Sequence, residues 1–205
     1  MDITFKQIGS IHTPYLPGLP VPQQPVQDAK GEFWLKLDPE YLEGLTRLNE
    51  FKYIIVIYYL DQVKNNFKSV LTESWASEIS VGVFASRNEN RPNPIGLSIV
   101  ELKGVEGNEV LISNIDVHNN TPLLDIKPYV KAFDLKDDAN DGWIETIPEK
   151  EHVLAHLLGH SHHHDSDSNH NHSHSSDISH NHGHSHKYRL KHNHNHNHAD
   201  HHYHE

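Results

Sequence analysis

The sequence predicts a mainly β barrel or sandwich with a small helical insertion, followed by a histidine-rich tail. Three observations predict it. Most apolar segments in residues 1–150 are short and rich in β-branched and aromatic side chains, as strands are. Only one segment there has firm helical spacing. And 20 of the 22 histidines lie at or after His152, which separates a globular part from a tail.

The elements follow in order. Residues 3–8 alternate around Ile3 and Phe5 and read as an opening strand. Residues 13–25 hold five prolines and form an extended surface loop. Asp38-Pro39 starts a helix, a capping carboxylate before proline at the first helical position. Tyr41, Leu42, Leu45 and Leu48 then make one apolar stripe over about ten residues. The run 53–60 (Y-I-I-V-I-Y-Y-L) is a central strand, and 79–84 is another. Residues 95–102 and 109–117 form a hairpin around 104–108. Residues 126–130 and 143–147 add short strands, and 149–158 a last helix that Gly159 ends.

Composition excludes several classes. There is no cysteine, hence no disulfide, thiolate metal site or cysteine nucleophile. No apolar run approaches a membrane span, and the N-terminus lacks the regions of a signal peptide, so a cytoplasmic protein without membrane contact is expected. Residues 1–150 carry 14 Lys+Arg against 22 Asp+Glu, which argues against non-specific coating of nucleic acid but leaves room for one local basic site. No G-x-G, G-x-S-x-G or H-E-x-x-H pattern occurs. His12 and His118 are isolated and read as structural.

Two segments are dense in chemistry. Residues 86–98 (S-R-N-E-N-R-P-N-P-I-G-L-S) place Arg87 and Arg91 on a loop that prolines stiffen. Two guanidinium forks on such a loop suit a carboxylate or phosphate. Residues 119–129 (N-N-T-P-L-L-D-I-K-P-Y) begin with a turn-forming Asn pair. Asp125 and Lys127, two apart, share one face of a strand, either as a cross-face ion pair or as a polar wall opposite the arginine loop.

At these segments the sequence resembles the TsaA-like, or TrmO, family. The resemblance is carried by G-V-F-A-S-R at 82–87, R-P-N-P-I-G-L-S at 91–98, V-E-L at 100–102 and T-P-L-L-D-I-K-P-Y at 121–129, with support from Ile8-Gly9, Pro14-Tyr15 and 22–25. It runs over about residues 1–135. It implies a single-sheeted β-barrel that binds S-adenosylmethionine without a Rossmann domain, as a homodimer. The implied reaction is methyl transfer to the exocyclic amino nitrogen of threonylcarbamoyl-adenosine beside the tRNA anticodon. Implied cofactor contacts are Pro22, Gln23, Gln24, Asp61, Gln62, Arg91, Asn119, Asn120, Thr121 and Pro122. The family usually has arginine at the position of Gln23, histidine near Asp61, and D-G-T-P where this chain has N-N-T-P at 119–122.

Such a transfer needs donor carbon and acceptor nitrogen held near ~3 Å. The expected proton acceptors are Asp125 and Tyr129. Arg87, with Arg91, is expected to hold the threonyl carboxylate, and Lys127 to meet a phosphate. The domain reading is a barrel over 1–140, a strand and helix over 141–158, and a disordered low-complexity tail over 159–205.

In the tail, histidines alternate with Asn and Ser, a composition suited to nickel or zinc. His152, His156, His160, His162, His163 and His164 are the expected ligands. Three functions compete: a tRNA methyltransferase, a metal storage or delivery protein, and an S-adenosylmethionine-binding domain with another substrate.

Overall fold

A computed structural model of the chain describes residues 3–22, 24–25, 29–64, 66–73, 75–76 and 79–158. Its strands, in chain order, are β1 (Gly9–His12), β2 (Trp34–Leu37), β3 (Tyr53–Tyr59), β4 (Val70–Thr72), β5 (Ser80–Gly82), β6 (Ile95–Glu106), β7 (Glu109–Ile112) and β8 (Thr121–Pro128). Six of them, all antiparallel to their neighbours, close on themselves in the order β1-β2-β7-β6-β3-β8. The fold is the mainly β barrel expected, and its closure removes every free edge. The other two, β4 and β5, pair as a separate ribbon.

The barrel is filled. Ile11, Leu35, Ile54, Val56, Val100, Val110, Ile112 and Leu123 are fully buried. Each such side chain contributes roughly 1.5–3 kcal/mol on leaving water. Gly9 permits the close approach of β1 to β2, since a Cβ there would overlap the Lys36 carbonyl.

Because neighbouring strands alternate in direction, successive connections alternate ends. Residues 13–33, 60–94 and 113–120 leave the barrel at one end, the mouth. Residues 38–52 and the turn at Gly107 (φ +60°) close the other, the base.

Several elements differ from expectation. The first strand forms at 9–12, and Ile3 and Phe5 stay exposed. The helix from Pro39 is two 3-10 turns, Pro39–Leu45 and Leu48–Glu50, broken where Arg47 takes φ +67°. Gly44 in mid-segment weakens a continuous helix, but Leu45 and Leu48 of the stripe are still buried. Of 79–84 only β5 pairs, and its mate β4 is an additional strand. The hairpin is present, with a longer first arm and a shorter second arm than expected. β2 is also additional, although its alternation in burial is clear. Residues 142–146 form a 3-10 turn rather than a strand. The short helix α1 (Lys131–Asp134) and the last helix α2 (Lys150–Leu157) complete the described chain.

One irregularity decides which way β8 faces. Against β3, Leu123 pairs with Tyr58 but Asp125 pairs with Ile57, so Leu124 is an extra residue, a β-bulge. Without it, Thr121, Leu123, Asp125 and Lys127 would all point inward. The bulge reverses the alternation. Ile126 pairs with the buried Val56, and Asp125 and Lys127 turn outward with Ile57 and Ile55.

Candidate functional site

The mouth gathers polar groups that the rest of the barrel lacks. Of the four buried polar side chains among the described residues, Thr13 and Thr121 lie at this end, Glu73 lies in the 60–94 connection that leaves it, and Ser98 sits deeper in the barrel opposite Val56. Thr13 Oγ1 donates to the Val117 carbonyl (2.9 Å), and Asn119 Oδ1 accepts from the Thr13 amide (3.2 Å). Backbone bonds from Asn119 N to Tyr15 O (2.7 Å) and from Asn120 N to Ile11 O (2.8 Å) complete the seam. Loops 13–33 and 113–120 are thus stitched together. Asn120 has φ +69°, left-handed geometry that glycine or asparagine accepts at least cost. That explains why this position tolerates Asn where the resembling family carries Gly.

The arginine loop is held by its own hydrogen bonds as well as by proline. Arg91 Nη1 donates to the carbonyls of Val83 (3.0 Å) and Ser86 (2.8 Å), with its guanidinium 5.9 Å above the Phe84 ring. Asn88 N donates to Ser86 Oγ and Asn90 N to Asn88 Oδ1. From outside, Trp143 Nε1 donates to the Ala85 carbonyl (2.7 Å) while its ring stacks on Trp75 at 5.3 Å. Arg91 is therefore chiefly a brace for the loop, with its Nη1 committed to backbone carbonyls, and Arg87 is the cation of this loop whose charge bears on the mouth.

Asp116 belongs to the mouth although no motif marks it in the sequence. It sits half-buried in loop 113–120 between the buried Ile115 and Val117. Burial pushes its carboxyl up to about 6; the hydrogen bond from its own backbone amide and the Arg87 charge oppose the rise without cancelling it. Burial, then the Asp116 charge, pushes the Tyr58 hydroxyl up to about 12. Tyr15 is raised by the same two causes. Tyr58 bonds Ser98 Oγ at 3.0 Å, and its ring occupies the space that a Cβ on Gly96 would fill. The available signal was a lone carboxylate in an apolar alternation, I-D-V, just before the Asn pair.

Two cavities accompany this architecture. One, of about 260 Å³, is lined by Ile3, Phe5, Tyr59, Val63 and residues 90–95 beside the mouth. It is smaller than sites that enclose a drug-sized ligand, so it suits one part of a nucleotide-sized molecule. The larger, about 520 Å³, runs along the base between Tyr41, Leu45, Leu48, Phe51 and Ile126. Neither arginine of the 86–98 loop lines it. The mouth, where three loops converge, is the stronger candidate despite the smaller cavity.

The expected site residues divide accordingly. Pro22, Gln24, Asp61, Gln62, Arg87, Arg91, Asn119 and Asn120 belong to the three mouth loops, and Thr121 and Pro122 open β8 at the same end. Gln23 lies outside the described residues. Asp125 and Tyr129 are not brought to the arginine loop. The bulge turns Asp125 outward into an ion pair with Lys127 (2.7 Å), and Tyr129 meets the Tyr53 ring edge-on near the base. The polar wall expected opposite the arginines is thus an outer-face ion pair. Of the expected metal ligands, His152 is on α2; the His156 side chain, His160, His162, His163 and His164 lie outside the described residues. Among the described residues no cluster of three or more His, Asp or Glu side chains could hold a metal ion. No described helix is long and apolar enough to cross a membrane.

The mouth suits S-adenosylmethionine by its donor set. Arg87 supplies a guanidinium that matches the methionyl carboxylate.

Comparison with known proteins agrees. The family model for the tRNA-methyltransferase O N-terminal domain matches residues 10–135. A probable S-adenosyl-L-methionine-binding protein of Pyrococcus abyssi is 42% identical over 143 residues, 70% of this chain and 77% of that protein. The tRNA (adenine(37)-N6)-methyltransferase of Escherichia coli is 32% identical over 155 residues, 72% of this chain and 66% of that enzyme. A crystal structure of TrmO from Pseudomonas aeruginosa matches with a TM-score of 0.56 and 31% identity, covering 69% of this chain and 62% of that one. The chain therefore spans just under two thirds of the solved TrmO structure and of the Escherichia coli enzyme. A family domain matched across nearly the whole barrel, with its three mouth loops, establishes that the chain belongs to the TrmO, or TsaA-like, family of S-adenosylmethionine-dependent methyltransferases.

Proposed function

We propose that this chain methylates tRNA, transferring the methyl group of S-adenosylmethionine to the exocyclic amino nitrogen of threonylcarbamoyl-adenosine beside the anticodon. The observation that carries the reading is the family match, which includes both motif-dense segments and every barrel strand residue but Gly9. The mouth is chemically apt. S-adenosylmethionine, when bound, supplies an electrophilic methyl on a sulfonium. Arg87 is suited to meet a carboxylate, either the cofactor's or that of the threonyl group.

The overall acidity of residues 1–150 does not extend evenly to the mouth. Residues 60–94 carry Lys64, Lys68, Arg87 and Arg91 against Asp61, Glu73, Glu78 and Glu89, so the acidic excess lies elsewhere. This connection carries no net negative charge to repel phosphate.

The active form in this reading is a homodimer. Ile55, Ile57, Leu97 and Ile99 face outward on paired positions of β3 and β6, and Leu97 and Ile99 are both more than half exposed. A contiguous aliphatic face of that kind is characteristic of an interface. Leu97→Lys should halve the sedimenting mass if it is one.

The decisive test incubates the full chain with labelled S-adenosylmethionine and tRNA, with and without the threonylcarbamoyl group. Label on modified tRNA alone supports the reading. Cofactor binding without transfer leaves the alternative of another substrate. The histidine-rich residues beyond 158 are read as a separate nickel- or zinc-binding segment, because 18 histidines occur there. Calorimetric titration with either metal checks this independently of methyl transfer.

A further inference from the structure

We propose that Asp116, at the barrel mouth, is the proton acceptor of the methyl transfer. This rests on the methyltransferase reading above and replaces the roles first expected of Asp125 and Tyr129.

An N-methylation that starts from an amide-like N–H must dispose of one proton. The acceptor nitrogen gives its proton to a carboxylate oxygen and keeps the N–H electron pair, which bonds the incoming methyl. The donor sulfur keeps the C–S pair and becomes a neutral thioether, and the carboxyl later releases its proton to water. A carboxylate that does this must lie at the mouth, be partly withdrawn from water, and be ionised at neutral pH.

Asp125 fails the first condition because the bulge at Leu124 turns it to the outer face. It fails the second because its side chain is 44% exposed and already paired with Lys127. Tyr129 lies against Tyr53 at the other end. Asp116 meets all three. Its loop is pinned at Val117 and Asn119 by Thr13 and Tyr15, so the carboxylate is held rather than swinging.

The charged and titratable groups that bear on Asp116 among the described residues are Arg87 from the 60–94 connection, Tyr58 from β3 and Tyr15 from loop 13–33. Both phenols remain protonated at neutral pH, and Arg87 keeps part of the Asp116 population ionised. A carboxyl titrating near 6 is a better base than an ordinary aspartate and is still charged at pH 7.5. Neither a surface ion pair nor an isolated phenol combines those properties.

The test uses the full chain, wild type and Asp116→Asn, with three readouts. Single-turnover methyl transfer to modified tRNA should rise with pH through a midpoint near 6 in the wild type. It should fall about 10²- to 10⁴-fold in Asp116→Asn, the range for loss of a general base. Calorimetric affinity for S-adenosylhomocysteine should change by no more than a few-fold. The melting temperature of Asp116→Asn should exceed that of wild type at pH 7.5 and match it near pH 4, because the variant removes a charge that the fold disfavours. A flat wild-type profile from pH 5 to 8 overturns the proposal. So does near-normal turnover in Asp116→Asn, or a loss of turnover matched by an equal loss of cofactor-product affinity. Wild type that transfers no methyl to any tRNA overturns the substrate reading itself, and this role falls with it.

Discussion

The two ends of the barrel share six strands and one core but are finished differently. The base is closed by a tight turn at Gly107 and by 3-10 turns whose Leu45 and Leu48 are buried. Its charged groups are exposed surface pairs, such as Lys52–Glu101 and Arg47–Glu50. The mouth carries three long connections, buried hydroxyls, a half-buried carboxylate and a braced arginine loop. The base buries apolar groups and keeps its charges in water. The mouth withdraws polar groups from water and offsets their desolvation with fixed hydrogen bonds, an arrangement that suits ligand binding better than stability.

That contrast can be broken in several ways. The largest effect should come from the core that both ends share. Leu123→Ala removes a fully buried side chain where β8 meets β1 and β3, and should cost about 2–5 kcal/mol in denaturant unfolding. Both ends should fail together.

A charge change at the mouth should act in the opposite direction. Asp116 titrates near 6 in the folded protein against an ordinary value of 3.8, so the folded protein binds its proton more tightly. The group's contribution is therefore fully favourable below about pH 4 and is lost as pH rises through 6. Asp116→Asn should stabilise the protein by up to about 3 kcal/mol at pH 7.5, with no gain near pH 4, as read by chemical unfolding at both pH values.

Gly96→Ala should sharpen the contrast. The new methyl collides with the Tyr58 ring, costing about 1–3 kcal/mol as overpacking and disturbing the Tyr58–Ser98 bond. Turnover should fall further than stability alone explains. Trp143→Ala should cost about 1–2 kcal/mol by losing the stack on Trp75 and the bond to Ala85. Its signature should be faster hydrogen exchange in residues 83–91 with the base unaffected. The smallest effect belongs to Asp125→Asn. Breaking its exposed pair with Lys127 should cost less than about 1 kcal/mol and lower turnover less than threefold.

Much of this is legible along the chain. The Tyr53–Tyr59 strand, the hairpin after residue 95, the final helix and the mainly β character follow from composition and period. The arginine loop declares itself through its prolines, and the Asn pair through its turn chemistry, which Asn120 at φ +69° bears out. The family resemblance rests on the same strings. The strand over Trp34–Leu37 is readable too, since W-L-K-L alternates, but four residues give too short a period to stand out beside a proline-rich loop.

The class of fold, the two motif-bearing segments and the family they belong to are therefore written locally along the chain, because alternation and turn residues act over a few positions. The tertiary structure alone decided which motif residues share a site. One extra residue opposite β3 reverses the face of half of β8 and sends Asp125 to the outside, though the D-I-K-P-Y string looks the more chemical of the two segments. Closure of the barrel sets Asp116, a lone carboxylate in an apolar run, within electrostatic reach of Arg87, Tyr58 and Tyr15 from three other parts of the chain. Register and closure are long-range properties, and a local reading of residue types carries neither.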